Sequence, residues 1–200
     1  MQPTSFKTAW EHPGTPSAWF RTVLFRCGVA LCWFGAFVGL WVAADATPRW
    51  ALWVWVPLMF IIIYGVTLGI VGTMSLLGIR RVLRLYPWQV HTGAAQTAKN
   101  GTTRFVLPNP ERPEKTVTLR MGDYLGSNFR FWIRGVRAGR VKEVWFAGDP
   151  RFVGVIATPG PRRLIRPAQP EALNPDMSPR KRGVSPEALE RARRAGARTG

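Results

Sequence analysis

The stretch WALWVWVPLMFIIIYGVTLGIVGTMSLLGI, Trp50 to Ile79, runs thirty residues without a charge and ends against Arg80-Arg81. A hydrocarbon core about 30 Å thick is crossed by roughly 20 apolar residues in a helix. A second apolar run, Cys27 to Ala44, precedes it across a short link containing Asp45 and Arg49. Two such runs predict a transmembrane helical hairpin, with spans at about 23–44 and 51–79. Lys7, Arg21 and Arg26 precede or open the first span, and Arg80, Arg81, Arg84 and Lys99 follow the second. By the positive-inside bias this places both termini in the cytoplasm of a multi-pass cell-membrane protein. Ala44-Asp45-Ala46 fits a signal-peptidase pattern, but the run before it exceeds the usual 7 to 15 residues, which favours a retained span.

In lipid, helices associate through close backbone approach, so spaced glycines carry information. A turn near Thr47-Pro48 would set Gly28 level with Thr67, between Gly65 and Gly69, giving an expected contact of Gly28 with Gly65 and Gly69 inside the hairpin. Gly35 and Gly39 are left to pack against a second copy. Trp10, Trp19 and Trp88 are expected at the inner headgroup level, with Trp41, Trp50, Trp53 and Trp55 at the outer one. Arg26 is close enough to the inner boundary to snorkel. Neither span contains Asp, Glu, Lys or His, which argues against an ion or proton path. Beyond the second span the helix is expected to continue to Tyr86 as a basic stalk. There Arg80, Arg81 and Arg84 suit contact with anionic lipid headgroups.

The formal charge of +17 is lopsided, since residues 80–200 hold 24 Lys+Arg against 9 Asp+Glu. From residue 87 to 166 the pattern turns to short alternating segments punctuated by Pro, Gly and Asn. Strands are predicted at Thr103–Leu107, Thr116–Met121, Phe129–Val136, Val141–Phe146, Phe152–Thr158 and Arg163–Ile165. They are expected to form an antiparallel meander curling into a small barrel-like domain. The fold class is therefore membrane α+β: the hairpin (22–86 with its stalk), then a small antiparallel β-barrel-like cytoplasmic domain. Residues 1–21 read as a flexible cytoplasmic N-terminus. Residues 167–200 read as a disordered basic tail with a short helix near 186–195, capped by Ser185 and awaiting a partner.

Arg84-Leu85-Tyr86-Pro87-Trp88, then Trp145-Phe146-Ala147-Gly148-Asp149-Pro150-Arg151-Phe152, then Gly154-Val155 and Pro159-Gly160, resemble a group of uncharacterised actinobacterial two-span membrane proteins. The resemblance covers about residues 20–166. It implies a family of unknown activity and so assigns no functional residue.

The chemistry-bearing residues are sparse. Cys27 and Cys32 stand five apart on one helix, which suits neither a relaxed disulfide nor a zinc site. His12 and His91 have no serine or cysteine beside them as a nucleophile-base pair, and no Gly-Lys-Ser/Thr phosphate loop occurs. Asp149 beside Arg151 reads as a turn-stabilising aspartate. No catalytic, cofactor or metal residues are expected. Trp132 with Arg130, Arg134, Arg137 and Arg140 reads as an exposed basic aromatic set, for which apposition to an anionic leaflet is favoured over nucleic acid. The expected role is a membrane-tethered interaction or scaffold module. Its alternative is a regulatory subunit of a larger membrane transport or secretion complex that binds through the hairpin, and a nucleic-acid-binding or enzymatic β-domain comes third. The partners expected are lipids, a second copy or a membrane complex.

Overall fold

The uncharged runs are helical, as α1 (Gly14–Ala44) and α2 (Leu52–Leu85). The computed structural model describes residues 6–44, 52–98, 101–121, 129–168 and 184–197. The expected turn at Thr47-Pro48 and most of the basic tail fall outside these residues. Pro16 is tolerated in the first turn of α1, where its missing N–H would have had no helical partner, and Pro87 stops α2 two residues after Leu85. Within the apolar stretch of α2, the Thr67 and Thr73 hydroxyls donate back to the carbonyls of Ile63 (2.9 Å) and Gly69 (2.8 Å), so neither is left without a partner. Both helices are long and apolar enough to cross a membrane.

Two compact units emerge, one formed by Phe20–Leu76 and the other by the chain on either side of it. In the first, α1 and α2 meet through glycines on α2 only. A Cβ at Gly65 would run into the Trp33 indole, and one at Gly69 would lie 3.0 Å from the Ala30 Cβ. The helices are thus out of the register that a turn at Thr47-Pro48 would set. The expected contact of Gly28 is absent, and nothing lies within 4 Å of a Cβ built there. The bulky Trp33, needing a gap in the facing helix, decides the register where the sequence reading had matched small residues to each other.

The second unit contains two four-stranded antiparallel sheets. One has the order β1 (Gln89–Thr92), β5 (Glu143–Asp149), β6 (Val153–Thr158), β7 (Arg162–Ile165). The other has the order β2 (Ala95–Thr97), β3 (Thr103–Asn109), β4 (Arg112–Met121), β8 (Pro167–Ala168). They share one core, in which Phe105, Leu107 and Leu119 of the second sheet meet Val144, Phe146 and Ile156 of the first. The barrel expected from sequence does not close: the strands split into two sheets and a helix fills the gap. Residues 129–137, expected as a strand, form that helix, α3 (Phe129–Arg137). Its aromatic and basic residues satisfy a period of two as well as a helical one, but arginines at 130, 134 and 137 follow the helical spacing of four and three. Gly139, at φ +64, ends it. The Gly139 N–H reaches the Val136 carbonyl (3.0 Å) and the Arg140 N–H reaches that of Gly135 (2.9 Å), a paired C-terminal cap. As a result Trp132 is fully buried, edge-on to Phe105 at 5.4 Å, and not part of an exposed basic set.

The two sheets repeat one plan. Each has a central hairpin, β3–β4 or β5–β6, flanked on both sides, and each hairpin turns through an Asx-Pro pair, Asn109-Pro110 or Asp149-Pro150. In both turns the Asx side chain accepts the backbone N–H two residues on: Glu111 N–H to Asn109 Oδ1 at 3.1 Å, Arg151 N–H to Asp149 Oδ1 at 2.9 Å. Gly148 faces Gly154 across β5–β6, and a Cβ on Gly154 would strike the Phe146 ring.

Candidate functional site

Hairpin tips are usually solvated, yet Asp149, Pro150, Arg151 and Phe152 are all buried. A guanidinium in that position must be paired. Arg151 Nε and Nη2 donate to the two Asp149 carboxylate oxygens (3.0 and 2.7 Å), and Nη1 reaches Glu111 Oε2 at 2.8 Å. Burial alone would lower the Arg151 pKa; its bonds to Asp149 and Glu111 outweigh that and hold it above its ordinary value. In turn the hydrogen bond from Arg151 holds the Glu111 carboxyl below its ordinary range. Glu111 and Arg151 occupy the same place in their respective Asx-Pro turns, so the repeated plan brings two equivalent positions together with opposite charges.

Around this pair the chain closes further. Glu111 Oε1 accepts the Ser185 N–H at 3.0 Å, at the start of α4 (Pro186–Arg194), whose N-cap Ser185 accepts from Ala188 N–H at 3.3 Å. Arg191 lies 5.9 Å over the Tyr86 ring, and Ala192 and Ala195 are fully buried. The short C-terminal helix, expected to await a partner, is therefore docked on its own chain by alanines rather than by large apolar residues. Beneath it Tyr86 is 6% exposed and its hydroxyl has no hydrogen-bond partner among the described residues. Burial, reinforced by the Asp149 charge, pushes the Tyr86 pKa up to about 12. With all three guanidinium nitrogens of Arg151 engaged by carboxylates, the hairpin-tip cluster is a structural lock.

A second cluster forms where the N-terminal segment meets the end of α2. Residues 6–21, expected to be flexible, begin with a 3-10 turn at Ala9–Glu11 and run into α1. The Ala9 N–H bonds to the Tyr86 carbonyl at 2.8 Å, Trp88 Nε1 donates to the buried Thr15 Oγ1 at 3.1 Å, and His12 packs edge-on to Trp145 at 5.3 Å. This also removes Trp88 from any headgroup role, since it is 1% exposed. Trp10 and Trp19 are held 5.7 Å apart at 70°. Arg80 sits 5.4 Å over Trp10 and 5.3 Å over Trp19, and Arg84 sits 5.5 Å over Trp10. Neither arginine has a carboxylate partner among the described residues.

Of the residues singled out from sequence, Arg80 and Arg84 come together on Trp10, while Arg81 points away to the C-terminal end of α4, near Gly196. Gly65 and Gly69 are packed; Gly28, Gly35 and Gly39 have no neighbour within 4 Å of a built Cβ. Arg26 does not snorkel freely, because its Nη1 donates to the Gly72 carbonyl and, at 2.7 Å, to Ser75 Oγ. Glu111, Tyr86 and Trp10 were missed as cluster members. The repeated Asx-Pro-charged turn could have found Glu111; nothing in the sequence couples Trp10 to residues seventy positions away. His91 lies half-buried on β1. Comparisons with family models, with curated proteins and with solved structures give no match.

Proposed function

We propose that this protein is a membrane-anchored interaction module: α1 and α2 cross the cell membrane, both termini face the cytoplasm, and the two-sheet unit is displayed there for a protein partner. The observation that carries the membrane reading is uncovered apolar surface. Leu31, Phe60 and Trp53 are 69%, 69% and 87% exposed, and none of the most apolar stretch of α1 is buried within the chain. A bare apolar surface of this extent in water is an aggregation hazard, whereas lipid covers it at no cost. The interaction reading is supported by the closed hairpin-tip lock, which leaves the charges on the outer surface, and not that cluster, for recognition.

A second reading has one observation in its favour. By helical spacing Gly28, Gly35 and Gly39 share one face of α1, and that face is uncovered, as a hairpin serving as the binding element of a larger membrane complex would require. Site-specific photo-crosslinking in full-length protein separates the two. Probes at Val90 on β1 are expected to capture a discrete partner, and probes at Val38 beside the glycine face only lipid. Capture confined to Val38 would transfer the binding role to the hairpin. Release of the chain by alkaline extraction of membranes would sink both.

A further inference from the structure

The cluster of Trp10, Trp19, Arg80 and Arg84 has features that a solvated basic surface lacks. Arg80 and Arg84 are four apart on one helix, where like charges repel, and no carboxylate among the described residues offsets them. The Trp10 face lies against both guanidiniums, which attracts each by cation–π contact while leaving N–H edges directed away from the ring. Arg80 Nε is shielded from solvent and has no acceptor among the described residues, so the chain leaves this guanidinium incompletely satisfied. The backbone next to Trp10 is tied by the Ala9 N–H to the Tyr86 carbonyl, Thr15 one turn before Trp19 takes the Trp88 N–H, and the two indoles hold each other edge-on, so the arrangement is built by the chain itself.

We propose that these four residues bind the phosphodiester of an anionic phospholipid headgroup, the two guanidiniums holding its non-bridging oxygens and the indoles lying beside the glycerol and upper acyl carbons. The lipid is favoured over a free phosphate ester because the arginines begin at the residue after Ile79, where the uncharged run of the same helix ends, and because paired indoles suit the boundary between headgroup and hydrocarbon. The proposal rests on the membrane reading above and refines the expected basic collar. Arg80 and Arg84 belong to the site and Arg81 does not.

The test uses full-length protein reconstituted with phosphatidylcholine and phosphatidylglycerol, with retained lipid counted by native mass spectrometry. Wild-type protein should float with the vesicles and retain phosphatidylglycerol preferentially. Arg80→Gln and Arg84→Gln should each lower the preference about fivefold, the effect of one basic residue at an anionic surface. Trp10→Leu changes no charge and should lower it about threefold through loss of the cation–π face, with Trp10→Tyr restoring most of it. Equal losses for Arg81→Gln and Arg80→Gln, with no effect of Trp10→Leu, would reduce the site to diffuse attraction and overturn the proposal. So would displacement of the lipid by millimolar glycerol phosphate, which would make it a site for soluble phosphate esters. Failure to float would strike the membrane reading itself, a result distinct from floating without lipid preference.

Discussion

Two arginine clusters in the same unit are resolved in opposite ways. Arg151 is enclosed and each of its guanidinium nitrogens meets a carboxylate; Arg80 and Arg84 stand on tryptophan faces with no carboxylate partner among the described residues. The difference teaches that a guanidinium's role is set by what completes it. Where the chain supplies the counter-charge, the group locks the fold; where it supplies only an aromatic face, the group is left open to an anion from outside.

Substitutions can break this contrast. Arg151→Met should produce the largest effect, about 3–5 kcal/mol, because it leaves Asp149 buried without its partner, whereas Arg84→Met should cost less than about 0.5 kcal/mol. Thermal unfolding of the solubilised protein, followed by tryptophan fluorescence, measures both, and equal losses would erase the distinction. Glu111→Gln keeps the Asp149 pairing and removes only one charge-assisted bond, so about 2 kcal/mol is expected by the same assay.

The Tyr86 hydroxyl sharpens the picture through pH. Its folded-state pKa lies above the ordinary 10.0, so the neutral phenol's contribution is fully present below pH 10 and disappears as pH rises toward about 12. Tyr86→Phe should flatten that alkaline loss without lowering neutral stability, since the hydroxyl has no partner among the described residues to forfeit. A steep alkaline loss that survives in Tyr86→Phe would place the titrating group elsewhere. The most local effect is expected from Ser185→Ala, about 1 kcal/mol confined to α4, visible as faster amide exchange in residues 188–194 with no change in β5 or β6.

The helices were legible because thirty consecutive uncharged residues admit few other structures, and β3, β4 and β6 were legible from alternation. The helix at 129–137 was not, since interleaved aromatic and arginine residues fit both periods and only the buried face of Trp132 and Val136 decides between them. The short β1, β2 and β8 carry too few residues to show a period. The N-terminal segment was read as loose because Pro3, Pro13, Gly14 and Pro16 break its pattern. Its order comes from Ala9, Thr15 and His12 docking on distant residues, a tertiary effect that local composition does not carry. The same limit hid both clusters, which draw on segments far apart in the chain.

The matched turns at Asn109-Pro110 and Asp149-Pro150 have one more implication. Two copies of either half alone, brought together the same way, would set glutamate against glutamate or arginine against arginine at the tip. Only the unlike pairing gives Arg151 Nη1, which Asp149 leaves open, a carboxylate from the opposite turn, so the difference between Glu111 and Arg151 favours joining the halves within one polypeptide and discourages their exchange between neighbours crowded in the same plane.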